Sequence, residues 1–558
     1  MKYLSKLLLA VAASTTLFSC TSDEPNVTPL PDDGAGFYAT VKFTVPKTRS
    51  LDAEGVEIGK DYENKVSSLL VVLAKREGAQ APYSYKFLSS AYTGNPTTTN
   101  NTYTICFQNK EALYNYAGTT GGNKVYVFAY CNPTEGIKSA ADALTAEADL
   151  STFFDSSFTG SAEELATTWR NEGFLMTNHA IYESVLPSQD ELKGYSSANN
   201  PYALTSSSNP LEVLRTAARF DYKDGAKPEN GALTYEIKDI VDATKVQGTV
   251  KLTRMALFNM RDEFYYLPRT TDAAGNITLC PGATGNFYDF DNLMVTPSNR
   301  NFLNTLPFVG TSTESAQGNA FDPTKVITET KEWYNIATIL GATEDNDNEW
   351  NGGETPSADK QGYYIWRYCT ENAYPLNTTN YSPNEATGVV FEAEIDLNGD
   401  IKPDGTTPIF LYNGTMYANA QQICQTAENN KASQIYIDVK NVFDYDIDAT
   451  GNVTNAVLKS VIGDDVLFSN DINIYRPKDG KYYCYYFYFN RHNDNGTTAE
   501  TASDEFATIR NNVYKLSVTD IKLFGTFVPS TKVEDWDVYF NVDVEVKPWT
   551  VRINNIEF

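Results

Sequence analysis

Hydrophobic and polar positions alternate with a period of two along much of this chain. The clearest case comes early. In Gly36–Ser50, Phe37, Ala39, Val41, Phe43 and Val45 alternate with Tyr38, Thr40, Lys42 and Thr44. Successive side chains of a strand point to opposite faces, so the pattern predicts a half-buried β-strand. Pro46 ends it, because proline lacks the N–H that a ladder needs. Lys47-Thr48-Arg49 follows at once, a basic, polar run suited to a trypsin-like protease. A cut there would take a strand away and leave a groove. Taken alone, the pattern fits a permanent first strand and an ordinary loop arginine equally well.

Further runs follow the same logic. "KVSSLLVVLAKR" and "NKVYVFAYCNP" read as buried strands bounded by turn residues, with "TTTNNTYTICF" a third strand between them. Lys138–Asp155 and Ala162–Asn171 carry apolar residues at three-to-four spacing and predict short surface helices. "FLMTNHAIYES" and "NPLEVLRTAARFDYK" close the first half. The Gly/Pro-containing joint Asp224–Gly231 marks a boundary between domains at 50–228 and 229–558. Beyond it, "GTVKLTRMALFNM", "EFYYLPR", "TGVVFEAEID" and "TPIFLYNGTMYA" predict strands, while "TKEWYNIATILG" and "ANAQQICQTAENN" predict helical inserts. The end of the chain is dense in strands: "GKYYCYYFYFNRH", "NVYKLSVTDIKLFG", "WDVYFNVDVEV" and "WTVRINNIEF". Val538, Phe540, Val542, Val544 and Val546 form one face of the penultimate strand, which Pro548 should break. Trp549, Val551 and Ile553 begin a last strand whose phase slips at Asn554-Asn555, placing Ile556 and Phe558 on the other parity. Thr550–Phe558 would span about 30 Å. Many short strands separated by turn signals, with no repeat of solenoid or propeller length, argue for an all-β chain of two β-sandwiches with short helical insertions.

Composition narrows what such a chain can do. It has 558 residues, 37 Tyr and 29 Phe, a mix that favours strands. A net charge of −27 makes nucleic acid and anionic membrane surfaces poor partners. With only His179 and His492, most histidine-based catalysis and zinc chemistry falls away. Lys2 and Lys6 precede the apolar run "LLLAVAASTTLF", a secretory signal over residues 1–19 that is too short to span a bilayer. Leu17-Phe18-Ser19-Cys20 fits a bacterial lipobox with Cys20 lipidated, and Ser22–Glu24 resembles an acidic surface-export tag. Residues 21–35 read as a tether. The remaining cysteines, Cys106, Cys131, Cys280, Cys369, Cys424 and Cys484, form no CxxC pair, and three lie in aromatic strand-like runs. They are expected to be buried free thiols.

Several of these runs together resemble the fimbrillins, the type V pilins of Gram-negative anaerobes. In the first half they are "ENKVSSLLVVLAK", "NKVYVFAYCNP" and "EVLRTAARFDY". In the second they are "ENAYPLNTTNYSPNEATGVVFEAEID", "FATIRNNVYKLSVTDIKLFG" and "VDVEVKPWTVRINNIEF". Arg510-Asn511-Asn512-Val513-Tyr514 and Lys547-Pro548-Trp549 are the most specific. The resemblance implies two transthyretin-like, Greek-key β-sandwich domains in a surface lipoprotein precursor. It also implies a propeptide over 20–49 lipidated on Cys20, and removal of the strand Phe37, Ala39, Val41, Phe43 and Val45 by an arginine-specific protease cutting between Arg49 and Ser50. The groove left behind would take the C-terminal strand of another copy, here Trp549, Val551, Ile553, Ile556 and Phe558. The partners implied are other copies of the chain, anchor and tip subunits, the protease, and host or bacterial surface ligands. The place is the outer membrane and then an extracellular fimbrium that supports adhesion. Strand addition supplies main-chain hydrogen bonds and side-chain pockets. Four or five buried apolar side chains give a gross drive of about 10 kcal/mol.

Other chemistry finds little support. "GAGFYA" (Gly34–Ala39) precedes a strand instead of following one, and no P-loop, HExxH or GxSxG occurs. Glu344–Glu354 and Asp396–Asp400 are oxygen-rich but lack the calcium-loop spacing, so no metal or cofactor is expected. Glu392 and Glu394 should mark a solvated strand face, and "YYCYYFYF" a packed core. No catalytic activity is expected. An anchor or tip subunit, or a non-polymerising glycan-binding outer-membrane lipoprotein, stands as the alternative to a shaft subunit.

Overall fold

The computed structural model describes residues 36–44, 57–78, 83–159, 173–271, 276–282, 333–341, 357–372, 386–397, 402–492, 505–527 and 540–550, apart from single positions within these spans and a few short pieces between them. The side chains of 540–550 are described only at Val542. The chain is all-β, with several sheets and a few short helices.

The first sheet has ten strands. They are β1 (Phe37–Thr44), β3 (Ser68–Glu77), β4 (Ser84–Gly94), β5 (Thr98–Thr99), β6 (Thr102–Phe107), β7 (Lys124–Cys131), β8 (Met176–Asn178), β9 (Tyr182–Val185), β10 (Tyr202–Ala203) and β11 (Leu211–Arg215). Their order is β4-β3-β7-β8-β11-β1-β6-β5, with β9 beside β7 and β10 beside β1. β3 shows why its sequence is a continuous apolar run. Leu69, Val71 and Leu73 enter one core with Phe37, Val41, Ile105 and Val127, while Leu70, Val72 and Ala74 enter a second core on the opposite face. A strand buried on both faces cannot alternate.

That second core is shared with two five-stranded sheets. One contains β2 (Glu57–Ile58), β12 (Ala217–Asp224), β16 (Tyr364–Thr370), β19 (Asn512–Ile521) and β20 (Phe540–Thr550), in the order β2-β20-β19-β12-β16. The other contains β13 (Thr234–Lys238), β14 (Val246–Phe258), β15 (Tyr334–Asn335), β17 (Gly388–Leu397) and β18 (Tyr482–Phe489). β12 precedes the joint at Asp224–Gly231, yet it pairs with β16 and β19 beyond it. A third core gathers residues Phe410–Ile474, where two helices, Ala420–Asn429 and Gln434–Val442, cover a small sheet.

Several expectations need correction. Tyr38 is fully buried although it sits on the parity expected to face water, so β1 is covered on both sides at its start. Glu392 is no solvated carboxylate. It is buried, takes a bidentate pair from Arg254 and accepts from Thr253 Oγ1 at 2.9 Å; Glu394 stays partly exposed and pairs with Lys481 at 2.8 Å. Pro548 does not end a strand: β20 runs through it to Thr550, with Pro548 opposite Asn512. Among the described residues β20 has a neighbour on its outer side only at Trp549 and Thr550, and an edge tolerates the missing N–H. The helix expected over Lys138–Asp155 is two pieces, Glu135–Asp142 and Ser151–Phe154. Of the helix expected at Ala162–Asn171, all but Trp169 lies outside the described residues.

"YYCYYFYF" is packed core: in β18 every residue except Tyr483 is buried. All six cysteines from Cys106 to Cys484 are free and buried. Burial pushes the thiols of Cys280, Cys424 and Cys484 up to about 12, and those of Cys131 and Cys369 higher still. Among the described residues no helix is long and apolar enough to cross a membrane, and no group of three or more His, Cys, Asp or Glu could hold a metal ion. Glu344–Glu354 and residues 398–400 lie outside the described residues.

Candidate functional site

β1 is bound along both edges. On one side it runs antiparallel to β6 in a register from Phe37 opposite Phe107 to Lys42 opposite Thr102. On the other it runs parallel to β10, with Ala39 opposite Tyr202, and then to β11, with Phe43 opposite Leu211. Loops add bonds: Tyr38 N–H donates to Tyr195 O at 2.8 Å, Phe43 N–H to Asn101 O at 3.0 Å, and Leu204 N–H to Thr40 O at 3.0 Å. Lys42 N–H donates to Thr205 Oγ1 at 2.5 Å.

The inward face of β1 is apolar throughout. Phe37, Ala39 and Val41 are fully buried and Phe43 nearly so. Phe37 lies between the rings of Phe107, 5.8 Å away, and Tyr202, 6.2 Å away, while Phe43 meets Tyr103 at 5.3 Å. Gly36 opens the strand at a point where a Cβ would come within 2.2 Å of Cys106 Sγ, so the residue there must be glycine or the thiol must move. Taking β1 out would therefore bare a strand-long row of backbone groups on β6, β10 and β11 and an apolar trench beneath it. Val45, Arg49, Ser50 and Cys20 lie outside the described residues.

The other expected element is the C-terminal strand. β20 pairs antiparallel with β19 from Ile521 opposite Phe540 to Asn512 opposite Pro548. Trp549 belongs to β20, where its backbone lies opposite Glu57 of β2. Val551, Ile553, Ile556 and Phe558 lie outside the described residues. The structure thus describes the expected removable strand as far as Thr44, and the expected donor strand only at Trp549 and Thr550.

The most specific motif of the sequence, Arg510–Tyr514, turns the chain into β19. Arg510 is buried and bidentate on Glu371, with Nε 2.6 Å from Oε2, and it donates to the carbonyls of Tyr266 at 3.0 Å and Tyr265 at 2.6 Å. Asn511 sits at φ 59°, in the left-handed region that asparagine tolerates best among residues with a Cβ. Its N–H donates to Ala217 O at 2.7 Å and its Oδ1 accepts from Arg215 Nη1 at 3.1 Å. Asn512 Nδ2 closes the turn on Arg510 O at 3.0 Å. Tyr514 stacks on Phe220 with ring centroids 5.0 Å apart, and its hydroxyl accepts from Ile509 N–H at 2.8 Å.

That hydroxyl also meets His492 Nδ1 at 3.0 Å, an arrangement that suits a neutral imidazole accepting the phenol proton. Burial pushes His492 down to about 3 from an ordinary 6.5. The folded state then binds fewer protons than the unfolded one between those values. Its contribution to stability is whole above pH 6.5 and is lost as pH falls toward 3. Between pH 6.5 and 5 this residue should remove about 2 kcal/mol of unfolding free energy. Urea titrations of wild type and His492→Gln over that range check the expectation, since the variant should lack this slope.

Buried charged residues that the sequence did not single out join Glu63 to β11, β12 and β16. Arg219 is bidentate on Asp221, at 2.8 and 2.7 Å, and reaches Glu63 Oε1 at 3.1 Å. Arg215 Nε donates to Glu63 O at 3.0 Å, and its Nη2 to Asn64 Oδ1. Tyr368 donates its hydroxyl to Glu63. Arg215, Arg219, Asp221 and Glu63 are all buried, so the four charges balance out of water. Burial works against the Arg219 cation, but Asp221 and Glu63 hold it protonated well above its ordinary value; burial lowers Arg215 to about 10. Arg219 and Asp221, two apart within the strand-like run "AARFDY", share one face, and this was the available signal. Glu63 has none.

Residues 480–555 match the family model described as "Major fimbrial subunit protein type IV, Fimbrillin, C-terminal". This C-terminal region belongs to the fimbrillins. The fimbrillin match takes in β18, β19 and β20, with Arg510–Tyr514 and Lys547–Trp549, and does not reach β1. No curated protein matches the sequence. Among solved structures, the chain is similar to a candidate cell-adhesion protein from Parabacteroides distasonis (12% identity, 93% of this chain and 99% of that one, TM-score 0.40). It is also similar to a fimbrilin, FimA, from Porphyromonas gingivalis (11%, 92% and 98%, TM-score 0.37). A third is the C-terminally truncated tip fimbrial protein Mfa3 of the same organism (9%, 92% and 100%, TM-score 0.37). These likenesses are distant.

Proposed function

We propose that this fimbrillin-type chain is a shaft subunit of a surface fimbria. It is exported as a lipoprotein on Cys20, cut between Arg49 and Ser50, and polymerised when the strand Thr550–Phe558 of another copy enters the slot that β1 vacates. The observation that carries the reading is the setting of β1. It is an interior strand, hydrogen-bonded along both edges, with its apolar face in a core, and it stands just upstream of Arg49. Its four buried inward side chains are worth about 6–12 kcal/mol of gross burial, enough both to block the slot before the cut and to drive refilling afterwards. A division into domains at 50–228 and 229–558, a role for an arginine-specific protease, anchor and tip partners, and adhesion to host or bacterial surfaces belong to the same proposal. An anchor would keep its lipid and would need no cut at Arg49.

Mass spectrometry of protein sheared from cells tests this directly. A start at Ser50 in high-mass, SDS-resistant ladders is the expected result. A diacylated Cys20 on a monomer would overturn the shaft reading in favour of an anchor or a glycan-binding lipoprotein.

A further inference from the structure

Glu57–Asn64 connects the strand proposed to leave with the body that stays, and its described bonds tie it to the body. β2 lies in a different sheet from β1, parallel to the end of β20, with Glu57 opposite Trp549 and Ile58 opposite Thr550. Five residues on, Glu63 is 0% exposed. It draws its own segment into a turn, taking the Lys60 N–H on its carboxylate, while Asn64 Nδ2 closes on Gly59 O at 3.1 Å. The same carboxylate receives Arg219 of β12 and Tyr368 of β16, and Tyr62 meets the Tyr368 hydroxyl at 2.9 Å. Arg215, the last residue of β11, binds Glu63 O and Asn64 on this side and Asn511, at the turn into β19, on the other. A carboxylate taken fully out of water is tolerable only while its partners stay in place. A segment anchored this way docks as a unit or not at all.

We infer that Glu57–Asn64 is a clasp: a segment docked through Glu63 that holds β20 at Trp549 and Thr550, next to the proposed donor residues, before and after the upstream strand is cut away. The part concerning the cut rests on the function proposed above. Glu63 is then a positioning residue for assembly. The mature chain would begin seven residues before a fixed anchor. The chain leading into the proposed donor strand would be held at the same two residues, Trp549 and Thr550, in every copy, giving each junction the same geometry.

Amide hydrogen exchange on the full chain, before and after cleavage after Arg49, tests the clasp. Residues 57–64 should keep their protection to within about threefold after the cut, while residues 102–107, which face β1, lose theirs. Exchange of 57–64 at the rate of a free peptide after the cut would overturn the clasp, even if polymers form. Retained protection in a cleaved wild-type chain that never polymerises would leave the clasp standing and sink the donor-strand reading.

Glu63→Gln in the uncut chain supplies the second arm. Exchange should rise by about tenfold or more at 57–58 and at 549–550 together, with residues 102–107 unchanged. A rise at 57–58 alone would show that the segment does not hold β20. If that variant does not fold, Tyr62→Phe removes the bond to Tyr368 while keeping the ring and should raise exchange at the same two places by about threefold. No change at either place would then overturn the inference.

Discussion

A chain carrying Val551→Asp and Ile553→Asp is expected to fold, to be cut after Arg49, and to remain monomeric. The two positions share the parity that would face into an acceptor slot, two residues apart as a strand requires. Their loss removes about 3–6 kcal/mol of gross apolar burial from a drive of about 10 kcal/mol, and each new carboxylate would have to shed its water inside an apolar trench. Both terms act in the same direction, so SDS-resistant ladders should vanish completely. The donor reading requires both positions to be spare in the monomer, so urea unfolding of the monomer should be unchanged. Arg552→Asp, on the opposite parity, should still assemble and serves as the control. Ladders from the double variant would show that the donor is not this strand.

Arg510→Met should cost about 3–5 kcal/mol of folding free energy, because it leaves the Glu371 carboxylate buried without its cation. The carbonyls of Tyr265 and Tyr266 lose a charge-assisted donor in the same step. Pairing it with Glu371→Leu should restore the larger part, since an apolar pair of similar size removes the stranded charge. The carbonyls would still lack their donor, so restoration should be incomplete. Urea midpoints of the two single variants and the double variant measure this as a cycle. If the single variant loses under 1 kcal/mol, the pair does not hold the turn into β19.

Much of the architecture could be read from the sequence where one force dominated. β3, β7, β17, β18 and β19 are long apolar runs between turn residues, and each is a strand. What escaped was decided by neighbours. Gln434–Val442, where Ile435, Ile437 and Val439 stand at a spacing of two, is assigned no element from the sequence. It is a helix because Ile435, Val439 and Val442 bury one stripe against the third core while Ile437 stays outside. Glu392 sits in an alternating pattern that suits a wet face, and Arg254 on the adjacent strand makes its burial tolerable. Tyr38 obeys the period of two and is nonetheless buried, because that face is covered at the start of β1 though not farther along it. At the candidate site the apolar teeth of β1 were legible. The Glu63 cluster was not, since its members come from four places in the chain and only folding brings them together.

The setting of β1 also bears on mechanics. A segment held by ladders along both edges and pulled along its own axis is loaded in shear: its bonds share the force and must fail together, whereas a strand peeled from one end yields a bond at a time. An incoming strand seated where β1 lies would inherit that arrangement, with β6 on one flank and β10 and β11 on the other. Filaments joined in this way would hold under steady drag without a single covalent link between subunits.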